Sequence, residues 1–131
     1  MSANNAAEAV RARLVADSGV AALVGTRVYI DEAPDKAVLP LIVYGVRLQE
    51  ESDGSAPMSP ASIDVNCYAE TDDEAKSIAD AADNALGSTA GLAHGSTRVL
   101  SPVLEDWDSV RDSDLSMWGR LLRYGAIVVR G

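Results

Sequence analysis

The 131-residue chain contains no phenylalanine, and its aromatic residues amount to only 5%. Its core must therefore be assembled from Ala, Val, Leu and Ile. There is one cysteine, Cys67, which excludes an internal disulfide and fits a reducing compartment. There is also one histidine, His94, so the clustered thiolates and imidazoles of a zinc site are missing. Cations are scarce: 11 Lys and Arg stand against 20 Asp and Glu, a net charge of −9. A chain this acidic is not expected to hold nucleic acid by neutralising phosphates. No apolar run approaches the roughly 20 residues that a membrane-spanning helix needs. The opening MSANNAAEAVRARL lacks a basic stretch followed by an apolar one, so neither a signal peptide nor a membrane partner is expected. Neither Lys36 nor Lys76 follows the glycine pattern of a phosphate-binding loop.

What is present fits one globular domain over residues 1–131, with 47% hydrophobic and 24% charged residues. The stretch 62–87, SIDVNCYAETDDEAKSIADAADNALG, organises the rest. Ile63, Val65, Cys67 and Ala69 alternate with Ser62, Asp64, Asn66 and Tyr68, the period of a half-buried strand. The period then changes. Ala75, Ile78, Ala79, Ala82 and Leu86 form one apolar stripe on a helix. Thr71 is placed to cap that helix, and Glu74 completes a capping box. Asp72 and Asp73 complement the helix dipole, and Gly87 is expected to end the helix in the left-handed conformation.

Upstream, Asn4 or Asn5 is positioned to cap a first helix running to about Asp17, with Ala6, Ala7, Val10, Leu14 and Val15 on its apolar side. Ser18 and Gly19 should break it, leaving a short apolar turn up to Gly25. Residues 27–30 read as a short strand, and residues 31–40, with Pro34 and Pro40, as a loop. Residues 41–49 are a second strong strand, with Ile42, Tyr44, Val46 and Leu48 on one face. Residues 50–60 hold acids, serines, Pro57, Pro60 and Gly54, with almost nothing to bury. A solvated hairpin loop is the default reading. The functional alternative is an arm that orders against a neighbouring subunit, with Glu50, Glu51, Asp53, Gly54 and Met58 as candidate assembly residues.

Downstream of the central helix, residues 88–96 read as a flexible connection, with His94 a surface residue between glycines. Residues 97–104 form a strand that Pro102 assigns to an edge or a bulge. Residues 105–118 are the most acidic segment. Glu105, Asp106, Trp107, Asp108, Asp112 and Asp114 are candidate partner-facing residues. The acids have calcium-like spacing, but the central glycine and terminal glutamate of an EF-hand are missing, so a solvated acidic face is the reading. Trp107 and Trp118 are read as packing anchors unless exposed, in which case they mark a partner. Residues 120–130 form a long terminal strand.

The order helix, strand, strand, strand, helix, strand, strand predicts an α+β fold: one mostly antiparallel sheet with two helices on its apolar face. The residues specify no chemistry. Cys67 and His94 could pair as nucleophile and base, but the alternation around Cys67 favours a buried structural thiol. No catalytic residue, metal ligand or cofactor site is assigned.

The sequence does resemble a family. LVGTRVY at 23–29, LPLIVYG at 39–45, IDVNCYAETDDEAKSIADAADNAL at 63–86 and RLLRYGAIV at 120–128 resemble the tail completion, or tail terminator, proteins of long-tailed bacteriophages. These features, in this order, cover nearly the whole chain. The absence of Phe from the terminal strand and the acidity of residues 105–118 depart from the family's pattern. The resemblance implies a structural protein rather than an enzyme. It implies a homo-oligomeric ring, a hexamer, at the head-proximal end of the virion tail, assembled in the host cytoplasm. Such a ring caps the tail-tube protein, meets the head connector or stopper protein, and lets DNA pass without specific binding. A connector stopper or a tail-tube subunit is the alternative within the same fold family, and a small enzyme the alternative from another class. The capping box yields a first expected outcome. Thr71→Ala should cost about 1 kcal/mol, read as a shift in the denaturation midpoint; an unchanged midpoint would mean that Thr71 is not the cap.

Overall fold

The computed structural model describes residues 2–49, 58–87 and 91–129. Its elements run α1 (Ser2–Ala16), α2 (Ser18–Val24), β1 (Val28–Ile30), β2 (Leu41–Leu48), β3 (Met58–Ala69), α3 (Asp72–Gly87), β4 (Gly91–His94), β5 (Thr97–Asp112) and β6 (Met117–Val129). The strands form one sheet in the order β1-β2-β3-β6-β5-β4. All neighbours are antiparallel except β1 and β2, which run parallel. The α+β expectation holds, with three helices where two were expected.

The period-two pattern at residues 62–69 is the middle of the sheet. Every second residue of β3 from Ser59 to Ala69 is buried. β3 pairs with β2 from Ala61 to Tyr68 and with β6 along its whole length. The buried side of the sheet carries Ile42 and Tyr44, Ile63, Val65 and Cys67, and Leu122, Tyr124 and Val128. Against it pack α1, through Ala6, Ala7, Ala9, Val10 and Leu14, and α3, through Ala75, Ile78, Ala79, Ala82, Ala85 and Leu86. With no Phe, Tyr44 and Tyr124 are the largest fully buried side chains. The Tyr124 hydroxyl donates to Asp83 Oδ1 of α3 at 2.6 Å, which satisfies the one polar atom that this ring carries inward.

Thr71 caps α3 as its spacing requires: Glu74 N donates to Thr71 Oγ1 at 3.2 Å. Other expectations are corrected. Gly87 is the last helical residue of α3 and has no left-handed backbone. Asn5 lies inside α1, where its amide donates to Thr97 Oγ1 at 3.4 Å. The first helix does end near Asp17, at Ala16, but Ser18 and Gly19 begin α2 rather than a turn, because Asp17 caps it by accepting from Val20 N at 2.9 Å. Gly25, with φ at 61°, closes α2. The supposed connection after α3 contains β4, which turns through Gly95 and Ser96 to pair with the start of β5. Met58 and Pro60 belong to β3 rather than to the preceding loop, and Gln49 N donates to Pro60 O at 2.9 Å.

Two glycines on the open side of β6 are crowded in different ways. A Cβ on Gly119 would lie 2.8 Å from Val110 Cγ2 and 2.9 Å from the Tyr68 ring, whereas the atoms nearest one on Gly125 all belong to the Glu105 carboxylate. Gly119→Ala should therefore cost about 1–3 kcal/mol, as overpacking does, while Gly125→Ala should be nearly neutral because the Glu105 side chain can swing away. Equal losses in denaturant unfolding would contradict this. Burial also pushes the Cys67 thiol up from 9.0 to about 12. A raised folded pKa means that the stabilisation is fully present below pH 9 and is lost as pH rises toward 12, because the unfolded chain ionises first. Stability should fall across that window by up to about 1.4 kcal/mol per pH unit for this group, and Cys67→Ala should flatten the fall.

Candidate assembly surface

The described helices all pack on one side of the sheet. The other side carries the half-buried Val43, Asp64, Asn66, Tyr68, Leu121 and Ile127 and the exposed Arg123, with Leu41 buried among them. At its centre Arg123 Nε donates to Asp64 Oδ1 at 3.0 Å. That hydrogen bond and the charge of Asp64, with Asp106 and Glu105 beyond, hold the Arg123 guanidinium above its ordinary pKa. Toward the β1 end, the loop after β1 and the β5–β6 turn border a groove of about 560 Å³. Its apolar lining includes Pro34, Leu39, Leu41, Tyr68, Leu115 and Met117.

Of the candidate loop residues, Glu50, Glu51, Asp53 and Gly54 lie outside the described residues. Met58 opens β3 and is 57% exposed. The acidic segment is better defined. Glu105, Asp106, Trp107, Asp108 and Asp112 lie on the second half of β5, and Asp114 lies in the turn to β6. Among the described residues this half of β5 is paired with β6 alone, and β4 accompanies β5 as far as Leu100. The register shifts between Leu100 and Val103 and between Leu104 and Asp106, so Pro102 does mark a bulge. Beyond the bulges, residues 107–112 run in unbroken register against residues 122–117.

The acids have distinct local roles. Glu105 lies over Gly125. Asp106 Oδ1 accepts from the Trp107 amide at 2.9 Å, and Asp108 Oδ1 accepts from the Ser109 amide at 2.8 Å. Asp112 Oδ1 accepts from the Asp114 and Leu115 amides at 3.0 and 3.2 Å, shaping the turn. Trp107 faces the helix side, paired with Leu122, yet is 57% exposed. The Arg120 guanidinium lies 5.4 Å from its ring centroid and pairs with Asp72 of α3 at 3.1 Å. Trp118 packs on the core beneath Arg111, 4.8 Å from its centroid. Trp118 is thus a packing anchor, and Trp107 is not.

Charge alone did not reveal the apolar part of this edge. Val103, Leu104, Trp107, Val110 and Leu115 are all exposed. Bulges shift the alternation, so the pattern of two is broken where a reader looks for it. Chemistry is sparse by contrast. The raised pKa of Cys67 is the opposite of nucleophile activation, and His94 is exposed on β4. Among the described residues no three His, Cys, Asp or Glu side chains cluster to hold a metal ion. No described helix is long and apolar enough to cross a membrane.

A search of curated protein sequences found no match. Among solved structures, the chain is similar to one from the "Virion of native gene transfer agent (GTA) particle", with 24% identity and a TM-score of 0.79 over 98% of this chain and 97% of that one. That likeness shows a shared fold across essentially the whole length. The family model described as "Tail completion protein gp17" matches residues 8–129, so the chain belongs to the tail completion family and is a structural protein of a phage-type tail.

Proposed function

We propose that copies of this chain form a closed ring, a hexamer, at the head-proximal end of the tail, which caps the tail-tube protein and joins it to the head connector or stopper. The observation that carries this reading is the family match over residues 8–129. The surface supports it. One side of the sheet carries no described helix, and one edge is exposed and partly apolar, as a subunit with several neighbours requires. The role is structural and non-enzymatic, within the virion tail after assembly in the host cytoplasm. An acidic channel wall would limit sticking of DNA in transit. The test is electron microscopy of particles made without the protein. Separate heads and tails of abnormal length are expected; normally joined particles would sink the reading. Long tubes assembled by the purified chain would instead favour a tail-tube subunit.

The loop between β2 and β3 offers a second test. The ladder closes at Gln49 and Pro60, so residues 50–57 can be replaced by a tight turn without removing a strand pair. Loop length has a weak effect on stability. The shortened protein should fold with a nearly unchanged midpoint but fail to join heads to tails. Infectious particles at normal titre would reduce the loop to a connector.

A further inference from the structure

We propose that the free edge of β5 over residues 107–112 is a strand-addition site for a cationic, extended segment of another virion protein. Three observations meet there. The ladder to β6 is regular across these residues, and no described strand pairs with their other side. The side chains around the edge are exposed and partly apolar: Val103, Leu104, Trp107 and Val110. The amides of Trp107 and Ser109, two residues apart and therefore facing the same way, are occupied by the chain's own Asp106 and Asp108 carboxylates. The edge thus has outward donors held by local acceptors that an incoming strand's carbonyls can replace.

Charge selects the occupant. The open side of the edge is negative. Asp106, Asp108 and Asp112 lie toward the open side of the sheet. On the helix side, a groove of about 410 Å³ between α3 and Trp107 is mixed, with Lys76 and Arg120 beside Asp80 and Asp83, so the selection by charge rests on the open side. A second copy fits poorly. Two β5 edges paired antiparallel would set these acids against their equals, and like charges across a strand pair are unfavourable. The sheet's opposite edge, β1, has three residues and is followed at once by Asp31 and Glu32. With 11 cations against 20 acids, the chain has little to neutralise this edge. A lysine- or arginine-bearing strand suits it. On the open side the aliphatic stems would lie along Val110 and the charged heads would reach the carboxylates released from the Trp107 and Ser109 amides, while the alternate, apolar residues of the strand would face Trp107 on the helix side. The inference rests on the proposed assembly role only in taking the partner to be a virion protein.

The experiment uses the full chain and a short synthetic peptide alternating lysine with valine and threonine. Calorimetry at low salt should show binding that weakens about tenfold or more at high salt. Hydrogen exchange should slow at the Trp107, Ser109 and Arg111 amides. Asp106→Asn with Asp108→Asn keeps an acceptor at each position but removes its charge, and should weaken binding about tenfold. A peptide N-methylated at alternate residues keeps the charge but cannot pair, and should not bind. Equal binding of the methylated peptide, protection confined to other elements, or no binding at low salt would each overturn the proposal. So would ring particles in which the copies themselves protect these amides and exclude the peptide. Sedimentation reads ring formation separately: a chain that stays monomeric yet binds the peptide through these amides supports the edge site while contradicting the ring.

Discussion

Everything in this fold depends on the register of β3. It pairs on both sides, and from Ser59 to Ala69 every second side chain enters the core. A slip of one residue would put Asp64 and Asn66 beneath the helices and bring Ile63 and Val65 out. Because β3 is held by β2 and β6 together, its register fixes where Tyr44 and Tyr124 stand. Those rings in turn fix the helices, since α3 is tied to Tyr124 through Asp83.

The lack of Phe has a structural consequence. α1 and α3 meet the sheet through alanines, four of them on the buried face of α3 alone, and small side chains let the backbones approach closely. A core made this way keeps its helices close to the sheet, and Tyr44 and Tyr124 supply its bulk. Trp107 is exposed, Trp118 lies at the margin, and Tyr68 lies against Gly119 on the open side. Of the six aromatic residues, Trp107 alone is exposed, which leaves it as the one ring free to meet a neighbour.

Much of this was legible in the sequence, and the exceptions have physical causes. The strand-to-helix stretch around Thr71 was read correctly because period, cap and charge agree there. α2 was missed because Ser18 and Gly19 are poor helix formers, while the cap supplied by Asp17 outweighs their propensity. β4 carries glycine and a histidine and is a strand only because Thr97 and its neighbours pair with it, which is a tertiary fact. The parallel pairing of β1 with β2 escaped the expectation that consecutive strands run antiparallel. Ten residues suffice to carry the chain back when the strand to be matched has only three. As for the acidic candidates, the sequence located the segment but not its form: solvated acids and an edge strand have the same composition.

That ambiguity bears on how such an edge is kept from pairing with copies of itself. A long free edge invites pairing with any exposed strand. Here bulges interrupt its first part, three acids against the single cation Arg111 line the rest, and two carboxylates occupy its own amides. Each device discourages pairing among copies that carry the same charge. None discourages a strand of opposite charge, whose cations convert repulsion into attraction while its carbonyls take over the amides. The scarcity of cations noted at the outset therefore has a structural counterpart. The chain is protected from itself by the same charges that leave its edge open to a cationic neighbour.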